Sequence, residues 1–134
     1  MQGRDAAFLG VAIAMVDAYN RRDLDAWAAM WHADAHYHPT LLTGTVSLYV
    51  GRDSVRQFLE DVRDNGRGQT ARVNDVRALS DDQFVMRAEV MIDEEVVTPL
   101  TSIMRVQDGL IVEGRSYLAE AATLERMGMI PEPD

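Results

Sequence analysis

The chain has 134 residues, 47% of them apolar, enough for one domain (1–134) with one core and too apolar for a disordered tail. Thirteen Lys and Arg stand against 22 Asp and Glu, a net charge of −9; this balance repels phosphate backbones and anionic lipid, so neither nucleic acid nor a membrane surface is expected as a partner. The absence of cysteine excludes disulfides, thiolate nucleophiles, iron–sulfur clusters and cysteine-bound zinc, and fits a reducing cytoplasm.

Residues 4–20 read as a first helix with Phe8, Val11, Ala12, Met15 and Tyr19 on one face. Its apolar run, 6–16 behind Arg4, resembles a signal-peptide core, but it is rich in helix formers and lacks a small-x-small cleavage pattern, so a buried helix is preferred. Asp23 caps a second helix whose stripe is Leu24, Trp27, Ala28 and Trp31. Residues 34–38 form a short strand. An irregular but apolar stretch follows, and its residues 41–50 are a candidate lid. A third helix over 53–64 carries Val55, Phe58, Leu59 and Val62 at i, i+3, i+4, i+7 and stops at Asn65-Gly66. Residues 66–69 read as a mere connection.

Beyond Gly68 the period becomes two. Val73–Leu79, Phe84–Ile92, Val96–Val106 and Leu110–Leu118 are predicted strands, the last pair joined at Asp108-Gly109, a tight-hairpin signal. A last helix runs from Ala119 to Met127 and ends at Gly128. Helices first and an antiparallel meander after them predict an α+β fold.

The histidines number three and sit within seven residues: His32, His36 and His38. Their side chain titrates nearest neutrality, so they are the first candidates for acid–base chemistry or a metal. His36 and His38 share one strand face, and Tyr37 points the other way. A third metal ligand at matching spacing is lacking, so no metal site is expected. A proton-transfer role for His38 or His36 is weighed against a structural one. On the second long strand, Arg87 and Glu89 share one parity, and Met86, Ala88, Val90 and Ile92 the other. Parity alone leaves open which set faces a pocket.

Several strings in order resemble the SnoaL-like group of the nuclear transport factor 2-like superfamily. They are Tyr19-Asn20-Arg21-Arg22-Asp23-Leu24-Asp25-Ala26, Ala33-Asp34-Ala35-His36-Tyr37-His38, Gly51-Arg52-Asp53-Ser54-Val55, Asp108-Gly109-Leu110-Ile111 and the tail Leu124-Glu125-Arg126-Met127-Gly128-Met129-Ile130-Pro131. The resemblance implies a cone-shaped half-barrel: a curved, mostly antiparallel sheet with the N-terminal helices packed on its concave face. It also implies an apolar pocket at the open end and a homodimer through the sheet.

The catalytic sets of the group's enzymes do not carry over. Where steroid isomerase relatives have their base, helix tyrosine and protonated aspartate, this chain has His38, Met15 and Ser102. Where epoxide hydrolase relatives have their Asp–Arg–Asp set, it has Ser116 with Glu89 and Met91; their short-strand tyrosine is matched by Tyr37. The aspartate that the cyclases carry near the end of the last strand meets Ser116-Tyr117-Leu118-Ala119 here, and dehydratases need a histidine after residue 38 that is lacking. Two functions are therefore expected. One is action on an apolar, polycyclic or polyketide-like small molecule by cofactor-free cyclisation, isomerisation or dehydration, with His38, Tyr37 and His36 as catalytic groups and Tyr19, Trp31, Phe58, Glu89, Ser102 and Ser116 lining the pocket. The other is a non-catalytic ligand-binding or protein-interaction module.

Overall fold

The computed structural model describes residues 3–39, 48–66 and 68–133. Residues 40–47, most of the candidate lid, lie outside them. Helix α1 (Gly3–Arg21) is followed by a short α2 (Leu24–Ala29), strand β1 (Trp31–Pro39), a two-residue β2 (Tyr49–Val50) and α3 (Arg52–Asn65). Strands β3 (Gln69–Ala78), β4 (Gln83–Ile92), β5 (Glu95–Gln107) and β6 (Leu110–Tyr117) then form a meander, and a six-residue α4 (Ala121–Arg126) follows.

The strands make one six-stranded sheet in the order β2-β1-β6-β5-β4-β3. Among the described residues only the β1–β6 pair is parallel; the remaining pairs are antiparallel. Register shifts interrupt β1, β3, β4–β5 and β5–β6. Each adds local bend and twist, which is how the sheet curls into a cone. The N-terminal helices lie on its concave face, where Phe8, Ala12, Met15 and Tyr19 of α1 join Trp27, Phe58 and the inward strand residues in one core. A second, smaller core lies on the convex face: Leu124 and Ile130 cover Val85 and Ile103.

The parity question is settled in favour of the apolar set. Phe84, Met86, Ala88 and Val90 are buried in the main core, and Arg87 is exposed with Asp75 as its partner across β3. Burying the alternative set would strand an arginine and a glutamate in a greasy interior, a cost that two paired surface charges avoid.

Some boundaries differ from the sequence reading. Trp31 opens β1 instead of closing the second helix, because the chain leaves α2 at Met30, whose N–H bonds back to Trp27 O. Strand β3 begins at Gln69, four residues early, because the Asn20 side chain both accepts from Ala71 N and donates to Ala71 O, each at 2.8 Å. Side-chain pairing from a distant helix is invisible to strand periodicity. The last helix starts at Ala121, after an extended Glu120. The hairpin at Asp108-Gly109 forms as expected, with φ of 53° and 78°.

Candidate functional site

The hollow inside the cone is built from inward residues of five strands and one face of two helices. Met15, Val16 and Tyr19 come from α1, Trp27 from α2 and Tyr37 from β1. Ala71, Met86 and Val90 come from β3 and β4, Leu100, Ser102 and Met104 from β5, and Ser116 from β6. Its volume is about 30 Å³, room for one or two waters. Three of the lining side chains are methionines, Met15, Met86 and Met104. An unbranched thioether can swing aside where a leucine cannot, so the volume is adjustable.

One feature of the wall is polar. Tyr37 Oη lies 3.1 Å from Ser116 Oγ, which lies 2.8 Å from Ser102 Oγ. All three residues are buried. Burial pushes the Tyr37 phenol well above its ordinary value, against a smaller lowering by the Ser116 hydrogen bond. The ring therefore stays a neutral O–H donor at any ordinary pH. Three hydroxyls hold three protons, and the two bonds between them use two. The surplus proton sits on whichever hydroxyl donates to neither neighbour; when Ser116 donates to Tyr37 Oη, the phenol proton is available to an acceptor in the hollow.

Gly114 makes this arrangement possible. It sits between Met104, Trp31 and Tyr37, where a Cβ would lie 2.7 Å from Met104 Sδ and 3.1 Å from each ring. Behind the wall stands an aromatic cluster. Phe58 meets Tyr37 edge-on at 5.1 Å, Trp31 lies 5.0 Å from Tyr37, and Trp27 anchors its indole N–H on Val55 O at 2.9 Å.

The candidate residues fall into three groups. Tyr37, Tyr19, Ser102 and Ser116 line the hollow. Trp31 and Phe58, expected in the lining, instead stand behind it as packing for Tyr37 and Trp27. Glu89, also expected there, stands on the convex face with Arg72 Nη2 at 2.6 Å, and that hydrogen bond lowers its carboxyl pKa. His36 and His38 are likewise not among the lining side chains. His36 is exposed beside Glu113 of β6 and Val50 of β2, and His38 is half-buried beside Arg115. The alternation that sends Tyr37 inward sends both imidazoles out, so the three do not converge on one cavity. His32 Nδ1 accepts from Asp34 N at 3.0 Å, a local turn contact. Among the described residues, no three His, Asp or Glu side chains are grouped to hold a metal ion.

The sequence reading missed Met86, Met104, Val90, Leu100 and Ala71 as wall residues. Their inward parity was the available signal, and it could be used only once the convex side was known.

A curved sheet roofed by helices around a small apolar hollow defines a cone-shaped α+β pocket protein. Residues 12–114 match the SnoaL-like domain, and the chain belongs to that family. Solved structures share the fold. A protein of unknown function with the nuclear transport factor 2-like fold from Mesorhizobium loti superposes with a TM-score of 0.68 at 19% identity, over 88% of this chain and 95% of that one. An LEH-like epoxide hydrolase from M. tuberculosis gives 0.65 at 19% identity, over 84% and 83%. A protein of ketosteroid isomerase-like fold from Catenulispora acidiphila, solved in complex with trimethylamine, gives 0.67 at 14% identity, over 88% and 92%. No curated protein matches the chain in sequence. Among the described residues, no helix is long and apolar enough to cross a membrane.

Proposed function

We propose that the chain is a binding protein for a compact apolar molecule carrying one oxygen acceptor, held by the Tyr37–Ser116–Ser102 hydroxyls, and that it performs no acid–base catalysis in the hollow. The observation that carries this reading is the composition of the wall: among the described residues it contains four hydroxyls and no carboxylate, imidazole, amine or guanidinium. Proton abstraction needs a base within hydrogen-bond reach of the substrate, and a phenol with a raised pKa is a donor instead. Enzymatic cyclisation or isomerisation with the histidines would have to take place on the convex face. A polycyclic ligand needs several hundred Å³, against about 30 Å³ as the hollow stands. A five-membered ring asks only that Met15, Met86 and Met104 rearrange.

Cyclopentanone and cyclopentane share shape and differ in one acceptor. In an NMR titration, cyclopentanone is expected to bind more tightly than cyclopentane. Tyr37→Phe is expected to weaken cyclopentanone about tenfold, the worth of one buried hydrogen bond, and to leave cyclopentane unchanged. Because the phenol stays neutral, the preference should not vary between pH 5 and 9, a range taken to lie well below its titration. Equal binding of the two rings by the wild type would refute the reading.

Self-association through the convex face of the sheet, in a reducing cytoplasm, completes this proposal. Its support is the apolar end of the β4–β5 ribbon, where Val96 and Val97 are exposed. Sedimentation should give a dimer for the wild type and a monomer for Val97→Lys; a monomeric wild type removes this element.

A further inference from the structure

We infer that the hollow opens past Tyr19, and that Gln69 latches this entrance. The inference rests on the cavity and not on the identity of its ligand.

The wall has a floor and a rim. Met104, Ser102 and Ser116 are 1% exposed, Met86 2% and Met15 3%. Val16 and Tyr19 are 8% exposed, Ala71 7%, and Val90 and Leu100 6%. The second group lies where the C-terminal end of α1 meets the start of β3, with Ala71 paired to Val90 across the sheet. Tyr19 is its largest member, and a movement of that one ring changes the wall most.

Tyr19 is held from outside. An outer groove of about 370 Å³ is lined by Asn20, Arg22, Gly66, Gly68 and Gln69 among others. Two of these residues grip the tyrosine. Gln69 Nε2 donates to Tyr19 Oη at 3.0 Å, and the Arg22 guanidinium lies 5.0 Å from the ring centre. Arg22 also donates to Tyr19 O, Gly66 O and Gln69 O at 2.8, 2.9 and 2.6 Å. These arginine bonds, and the pair of hydrogen bonds between the Asn20 side chain and Ala71, involve backbone atoms. They hold the frame still while the ring turns. A swing of the phenol into the groove must break the Gln69–Tyr19 hydrogen bond and slide the ring off the Arg22 guanidinium. Gln69 is half-buried, so water can replace it there. With the ring in the groove, hollow and groove become one channel.

Trp27 reports on this without any ligand. It lines the hollow, is 3% exposed, and its ring centre is 6.2 Å from that of Tyr19. Quenching of tryptophan emission by acrylamide, a neutral probe, should be weak in the wild type. Gln69→Ala should raise the quenching constant about fivefold, the population shift expected from one lost hydrogen bond. Tyr19→Ala should raise it further, because the wall itself is gone. Leu124→Ala, which damages the separate convex core, should leave quenching unchanged while lowering the urea midpoint. No rise in the first two variants, or an equal rise in Leu124→Ala, overturns the inference. In Gln69→Ala, cyclopentanone should also associate and dissociate faster by one common factor. If cyclopentanone does not bind at all, the quenching result still decides the entrance, and only the ligand reading fails.

Discussion

Phe58→Ala is expected to lower the unfolding free energy by about 3–5 kcal/mol, measured as a fall in the urea midpoint at constant slope. Phe58 is fully buried on α3. Its ring meets Tyr37 at 5.1 Å, Tyr49 at 5.5 Å and Trp27 at 6.0 Å. Truncation removes the buried area of one ring, its edge-on contacts with Tyr37 and Tyr49 and its tilted contact with Trp27, each aromatic pair contributing about 0.5–1.5 kcal/mol beyond burial. The hole cannot close easily, because Trp27 is fixed by its hydrogen bond to Val55 and Tyr37 by Ser116. It also lies against two wall residues of the hollow, so near-UV circular dichroism should change with stability. A loss below about 1 kcal/mol would mean that the cluster relaxes around the gap, and the rigid back wall described above would be wrong.

Gly114→Ala is the second large effect, and it acts through space, since the glycine's φ is not in the left-handed region. The added methyl meets Met104 Sδ at 2.7 Å and the Trp31 and Tyr37 rings at 3.1 Å. Met104 can bend away, but Trp31 is 0% exposed and has nowhere to go. Overpacking of this kind costs about 1–3 kcal/mol. The displaced group of interest is Tyr37, whose hydroxyl should leave Ser116. The variant should thus lose both stability and the preference for cyclopentanone over cyclopentane. Met104→Ala in the same background removes the closest contact and should restore part of the stability. A Gly114→Ala protein that unfolds like the wild type and keeps the ketone preference would show that this wall is soft.

Much of the fold was legible because its signals are local. The i, i+3, i+4, i+7 apolar series of Val55, Phe58, Leu59 and Val62 has one physical solution, a helix with that stripe buried. Asp108-Gly109 fixes a hairpin through backbone geometry, and the Asp23 side chain accepts from Ala26 N at 3.0 Å as a helix cap must. By contrast, the turn at Asp93-Glu94 holds two non-glycine residues at φ of 51° and 71°, a geometry that ordinary turn rules do not announce.

The candidate site was legible only in part. The cluster of histidines drew attention to β1, and the strand does border the hollow, yet it contributes Tyr37 and not the imidazoles flanking it. Ser102 and Ser116 could be named from the resemblance, but their union with Tyr37 needs β6 to lie between β1 and β5. That neighbourhood joins residues 79 apart in the chain.

The amino-acid order by itself determined the four helices, the long strands and the two alternating faces of each strand, because periodicity and capping act within a few residues; the two-residue β2 forms only by pairing with β1. The tertiary structure decided which face became the inside. It did so by placing α1 on one side and α4 on the other, so that methionines and hydroxyls were enclosed while Arg87 and Glu89 kept water and partners. Burial is a property of what covers a surface, and the covering pieces come from the opposite ends of the chain.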